Sequence, residues 1–233
     1  MSAAGDLLLG ASCHGCGAPG WGICPGCRRR LAELQPYATA PEPCPVGFPR
    51  TVTCAPYDQF LRRLIIAHKE RHALGLSRLL ADLLAIGVHG LLRLVGHRPP
   101  DPMILLVPVP SAARAVRQRG FDATLTLARL AARRLLTRYP VRVVPALAQT
   151  RSVRDQAGLD AQQRQRNLAG GLLRRRAVDN ALVVLVDDLV TTGSTLTEAA
   201  RVIGSGGGIV LGAATVAATR RRLRSGSVGG PPR

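Results

Sequence analysis

The sequence predicts an α/β fold: a mostly parallel sheet flanked by helices, preceded by a small metal-binding module. Three observations predict it. Two runs, 103–110 and 183–186, are apolar at successive rather than alternate positions, which suits strands buried on both faces of a parallel sheet covered by helices. Stretches with leucine and alanine at helical spacing lie before, between and after them, at 74–94, 125–135 and 198–203. Two C-x-x-C pairs stand ahead of both runs.

Residues 1–50 read as a zinc-ribbon-like module and a proline-rich connector. Each C-x-x-C has glycine in its turn, and four thiolates from two such pairs suit a closed tetrahedral zinc site, structural rather than catalytic. Cys13, Cys16, Cys24 and Cys27 are the expected Zn²⁺ ligands, with His14 a bystander inside the first knuckle. Cys44 and Cys54 lack such a partner and read as ordinary thiols. A short basic helix is expected at 28–34, and Pro36, Pro41, Pro43, Pro45 and Pro49 mark an extended connector.

Residues 51–102 read as a helical segment joining the core. The stretch 52–57 suggests an edge strand, Asp58 a cap, and Phe60, Leu61, Leu64, Ile65 and His68 a helix. Lys69, the only lysine, ends that helix either as a solvated or paired charge or as a phosphate contact. A leucine-rich helix follows over 74–94, and prolines near residue 100 end it.

Residues 103–219 read as the α/β core. After the 103–110 strand, Arg119 and Gly120 stand at the start of the next helix. Glycine admits close backbone approach and arginine offers a fork of donors, so the pair is a pyrophosphate candidate, with a solvated basic turn as the alternative. Short strands are expected at 141–144 and 146–149. The polar stretch 150–166 has the composition of an arm that closes over an anion. The last strand is expected at 209–216, and 220–233 reads as a basic flexible tail.

The stretch 183–196 holds the clearest chemistry. Its apolar run meets Asp187 and Asp188, whose acceptor oxygens suit the neighbouring hydroxyls of a ribose. Thr191, Thr192, Gly193, Ser194 and Thr195 follow where a helix begins, supplying hydroxyls and unpaired N–H groups for a phosphate. The turn lies at the carboxyl end of a strand, where open α/β sheets bind ligands.

Composition bounds these readings. The formal charge is +18 in 233 residues, from 32 Lys+Arg against 14 Asp+Glu, which favours anionic partners from phosphorylated substrates to nucleic acid. Aromatics are only 3%, leaving few platforms for base stacking. The longest apolar-looking stretch, 79–96, is interrupted by Asp82, His89 and Arg93, so no membrane span is expected. Asp6 and a run of only three leucines make a poor signal peptide, and a cytoplasmic location is expected.

The acid pair and its turn resemble the phosphoribosyl-pyrophosphate (PRPP) binding motif of the type I phosphoribosyltransferases. With the cysteine pairs, Lys69 after a helix, Val-Pro-Val-Pro at 107–110 and Arg-Gly-Phe at 119–121, the order resembles the ComF family over roughly 13–219. That family comprises bacterial phosphoribosyltransferase-like proteins linked to competence for DNA uptake. Members often have Asn where this chain has Asp122, and a second set of cysteine pairs that is reduced here to Cys44 and Cys54. The resemblance implies a type I phosphoribosyltransferase-like fold, with Asp187 and Asp188 on the ribose and residues 191–195 on the 5′-phosphate. Arg119, Gly120 and Lys69 would face pyrophosphate, with Mg²⁺ accompanying PRPP. No His, Cys or Glu is placed as an acid or base. The resemblance thus implies a ComF-like protein that binds PRPP or a related ribose phosphate and acts in DNA uptake, meeting single-stranded DNA or uptake proteins; the alternatives are a phosphoribosyltransferase releasing pyrophosphate on an unknown nitrogenous acceptor, and a PRPP sensor without turnover.

Overall fold

A computed structural model describes residues 12–70, 73, 75–98, 102–150 and 171–219. The polar arm beyond Thr150 and the basic tail fall outside the described residues. In chain order the elements are α1 (Pro25–Ala32), β1 (Tyr37–Thr39), β2 (Thr51–Pro56), α2 (Gln59–Glu70), α3 (Leu76–Leu94), β3 (Ile104–Pro108), α4 (Ala113–Arg119) and α5 (Ala123–Leu135). Then come β4 (Val141–Val143), β5 (Leu147–Gln149), β6 (Leu172–Arg174), β7 (Leu182–Val190), α6 (Ser194–Ser205) and β8 (Ile209–Ala218).

Six strands form one sheet in the order β1-β2-β8-β7-β3-β4, parallel throughout except for the antiparallel β1. The apolar runs are continuous because both faces of the central strands are covered. Val184 and Val186 of β7, with Ile104 and Leu106 of β3, pack into the core shared with α2, α3 and α5. Their neighbours Val183, Leu185 and Val107 pack on the opposite face with Leu196, Ala199 and Ile203 of α6. Period-two alternation thus distributes one hydrophobic run between two cores.

The stretch at 52–57 is not an edge. β2 lies between β1 and β8, and Thr51, Val52, Thr53, Cys54 and Ala55 are all buried. Its threonines imitate a half-exposed strand, but the actual edge is the three-residue β1, inside the proline-rich connector. Arg119 and Gly120 also sit differently from expectation. They close the short helix α4, where Gly120 adopts φ 72°, while Asp122 caps α5 by accepting the Leu125 N–H at 3.1 Å. Asn and Asp serve equally well as such caps, so Asp122 fits this position on local grounds.

One glycine has no substitute. Pairing between β7 and β8 jumps from Val183 with Val210 to Val184 with Gly212, and Gly212 takes φ 153° at this bulge. A Cβ there would stand 2.4 Å from the Arg50 carbonyl oxygen. Gly212→Ala is expected to destabilise the fold by on the order of 3 kcal/mol in urea unfolding, since strain and clash add. A loss under about 1 kcal/mol would mean that the bulge relaxes around a methyl group.

The order of the strands makes a crevice. From β3 the chain crosses through α4 and α5 to β4 on one side, whereas from β7 it crosses through α6 to β8 on the other. Adjacent strands whose connections leave in opposite directions open a gap at their carboxyl ends. Among the described residues, no helix is long and apolar enough to cross a membrane.

Candidate functional site

The crevice between β3 and β7 holds a cleft of about 390 Å³. Lys69 from the end of α2, Arg119 from α4, Asp187 and Asp188 from β7, and Thr191 and Thr195 from the turn into α6 all line it. The loop after β3 closes the other wall with Pro110 and Ser111. Gly120, Thr192, Gly193 and Ser194 do not line this cleft. Thr192 and Ser194 instead link their hydroxyls at 3.1 Å, and Gly193 shapes the turn at φ 76°.

The turn is braced from outside. A Cβ on Gly193 would lie 2.7 Å from the Phe48 ring and 2.8 Å from Pro41, so the connector lies directly against it. Behind the turn, α6 begins at Ser194, and Thr197 N–H makes an early helical bond to the Gly193 carbonyl at 2.9 Å. The N–H groups before it have no partner within the helix, and together with the helix dipole they favour an anion.

The acid pair is held by opposing forces. Asp188 is buried, and its Oδ2 lies 2.5 Å from Lys69 Nζ. Asp187 opens partly to the cleft, and its Oδ1 accepts the Asp188 backbone N–H at 2.8 Å. Burial and then the neighbouring Asp188 charge raise the Asp187 pKa well above the ordinary carboxylate value. Burial works against the Lys69 ammonium, but Asp188 and then Asp187 outweigh it and raise its pKa. The lysine therefore remains charged and offsets much of the repulsion between the acids.

This arrangement makes stability depend on pH. A carboxyl with a raised folded-state pKa stabilises the fold below its unfolded value, and that contribution is lost as pH rises through the folded value. Asp187→Asn is therefore expected to melt higher than the parent at pH 8, with the advantage shrinking toward pH 4. Melting curves across that range check it, and an Asp187→Asn protein less stable at pH 8 would contradict this balance of charges.

His68, next to Lys69, is buried and meets Ser77 Oγ at 3.0 Å. Burial pulls its pKa down to about 4, so it stays neutral near pH 7. Its ring meets Phe121 edge-on with centroids 5.5 Å apart, tying the end of α2 to the turn after α4. Ser111 is a further cleft residue that the motifs did not reveal; its hydroxyl donates to Asp122 at 3.2 Å. Gln149 is another, and its Nε2 donates to the Pro110 carbonyl at 3.1 Å. The Pro-Ser step after an apolar run was the available signal for Ser111. No sequence signal marked Gln149.

The four cysteines of the two C-x-x-C pairs meet with all their Sγ atoms within 4.8 Å of one another, and Cys16 Sγ lies 3.7 Å from Cys24 Sγ. A tetrahedron with Zn–S bonds of about 2.3 Å has edges of about 3.8 Å, so the cluster fits a structural metal such as zinc. Backbone N–H groups of Cys24 and Cys27 point at Cys13 Sγ and Cys24 Sγ at 3.3 and 3.5 Å, as suits thiolates. His14 is not part of the cluster. Cys44 is exposed, while Cys54 is buried with its thiol donating to the Leu83 carbonyl at 3.0 Å. Neither joins the four.

Residues 123–225 match the phosphoribosyl transferase domain family. The match spans less than half of the chain. No curated protein matches it. The matched stretch runs from α5 through β8, so it contains the acid pair and the turn into α6 but neither Lys69 nor the cysteines. Such a domain supports a ribose-phosphate ligand.

Proposed function

We propose that the protein binds PRPP in the β3–β7 crevice and acts as a phosphoribosyltransferase. The observation that carries this reading is the convergence of an acid pair, a helix N-terminus and two cations on one cleft beside a strand switch point. In this reading Asp187 and Asp188 accept hydrogen bonds from the ribose hydroxyls. The turn containing Thr191 and Thr195 takes the 5′-phosphate, backed by Thr192, Gly193 and Ser194. Lys69 and Arg119 face the diphosphate, while Gly120 lets the chain turn after Arg119.

Displacement then needs little covalent help from the protein. The C1–O bond breaks with its electron pair on the departing diphosphate. The acceptor nitrogen's lone pair forms the C1–N bond, and its proton passes to water or to the diphosphate. Charge builds on the sugar as this happens, and the adjacent carboxylates stabilise it electrostatically. Mg²⁺ would enter the cleft together with the diphosphate. When bound, it supplies charge neutralisation for the leaving group.

Calorimetry with PRPP and Mg²⁺ on the zinc-loaded protein tests binding, and pyrophosphate release across nitrogenous acceptors tests turnover. Binding without release from any acceptor would favour a sensor. The four-cysteine cluster on the same chain also supports a ComF-like role in DNA uptake, and the +18 charge suits a polyanion. That role predicts single-stranded DNA binding that weakens steeply with salt. Absence of binding at low salt would count against it.

A further inference from the structure

A second cleft of about 550 Å³ adjoins the first, sharing Pro110, Ser111 and Gln149 with it. Its walls are apolar, with Val116 from α4, Pro145, and Leu147 from β5. Three arginines reach it from two parts of the chain: Arg117 from α4, and Arg175 and Arg176 just after β6. No acidic residue lines it, and none of the three guanidinium groups has an acidic partner among the described residues. By contrast, Arg174, one position earlier, points away to Asp179 and the Gly206 carbonyl.

We propose that this cleft is the acceptor subsite and that it selects a small nitrogenous acceptor bearing an anionic group, carboxylate or phosphate. The inference rests on the PRPP reading of the neighbouring cleft. Its volume suits a small molecule, and apolar walls with a few placed polar groups are the usual form of such a site. Three guanidinium groups around an apolar-walled cleft offer a bound anion charge-assisted, forked hydrogen bonds. The antiparallel β5–β6 pair anchors the arginines. The Arg175 N–H donates to the Ala146 carbonyl at 2.7 Å, so their backbone is fixed to the strand that supplies Leu147. Gln149 sits where the clefts meet. With its Nε2 on Pro110, its side-chain carbonyl is available to accept from an acceptor N–H near the sugar.

The test uses matched pairs of which one member carries the anionic group and the other does not, added to full-length protein saturated with PRPP and Mg²⁺. Suitable pairs are pyridine-3-carboxylate with its amide, uracil-6-carboxylate with uracil, and 2-aminoethyl phosphate with ethanolamine. Thermal shift and pyrophosphate release are read for each. The anionic member of at least one pair should bind and its counterpart lacking the anionic group bind about tenfold or more weakly, as the loss of a charge-assisted bond implies. Which pair responds separates carboxylate from phosphate. The double variant Arg175→Gln with Arg176→Gln should lose this preference while keeping the shift given by PRPP alone. Equal response to members with and without the anionic group, no response to any pair, or a preference that survives in the double variant overturns the proposal. A missing shift with PRPP alone overturns the underlying reading instead.

Discussion

Asp188→Ala is expected to abolish the thermal shift that PRPP with Mg²⁺ should give the parent protein. Ligand at a hundredfold over its dissociation constant stabilises by about 2.7 kcal/mol, or roughly 5–10 °C for a domain of this size, so the loss is easily read. Asp188 is the sharper choice of the two acids because its carboxylate joins two elements, the end of β7 and the end of α2, through Lys69. Truncating it removes a ribose acceptor and leaves a largely buried ammonium facing Asp187 alone. Breaking a buried pair typically costs about 3–5 kcal/mol, but here Asp187 is simultaneously relieved of a like charge, so a smaller loss in the unliganded protein is expected. Asp188→Asn keeps the shape and lowers the charge, and its shift should also be strongly reduced. Scanning fluorimetry with PRPP, ribose 5-phosphate and pyrophosphate in turn separates sugar from diphosphate recognition. A full PRPP shift in Asp188→Ala would mean that the acid pair does not hold the ribose.

Metal removal is expected to have the larger effect on stability. The protein should carry equimolar zinc, and chelation, or Cys13→Ser, should lower its melting temperature by on the order of 10–20 °C. The size follows from where the cluster sits. Cys13, Ile23, Cys27 and Leu31 belong to the same buried core as Leu61, Leu64, Leu80 and Leu84. Gly15 admits the Phe60 ring so closely that a Cβ would lie 2.6 Å from it, and Arg30 stacks over that ring at 4.2 Å while pairing with Asp58 at 2.6 Å. Opening the knuckles therefore exposes the amino-terminal turn of α2, whose far end holds His68 and Lys69. Zinc-free protein that melted within a degree or two of the loaded form would rule out this coupling.

Residues whose role is set by near neighbours were legible in the sequence. The strand β3 and the part of β7 before its acid pair appear as unbroken apolar runs because burial on both faces removes alternation. The four cysteines appear through spacing, since a knuckle is closed by its own backbone. Asp58 likewise announces itself as a cap, and its Oδ1 accepts the Leu61 N–H at 2.9 Å. What was hidden depends on contacts distant in sequence. Nothing local says that β3 lies beside β7, yet that adjacency creates the crevice and brings Ser111 and Gln149 to it. The helix α4 escaped notice because it buries no residue and so has no apolar stripe. The interior position of β2 was hidden because Thr53 and Thr215, polar by type, sit opposite one another in the sheet with both hydroxyls buried.

The contact of Pro41 and Phe48 with Gly193 bears on how such a protein can be divided or inherited. The connector supplies both a strand of the sheet and the cover of the turn into α6, so a cut at residue 50 runs through folded structure. A fragment beginning at residue 51 would present the bare margin of β2 to other chains and leave the turn without its brace. The cysteine-bearing leader is therefore poorly suited to exchange as a cassette between proteins. Recombination that swapped it would have to bring a matching glycine turn along, which favours transmission of the two halves as one piece.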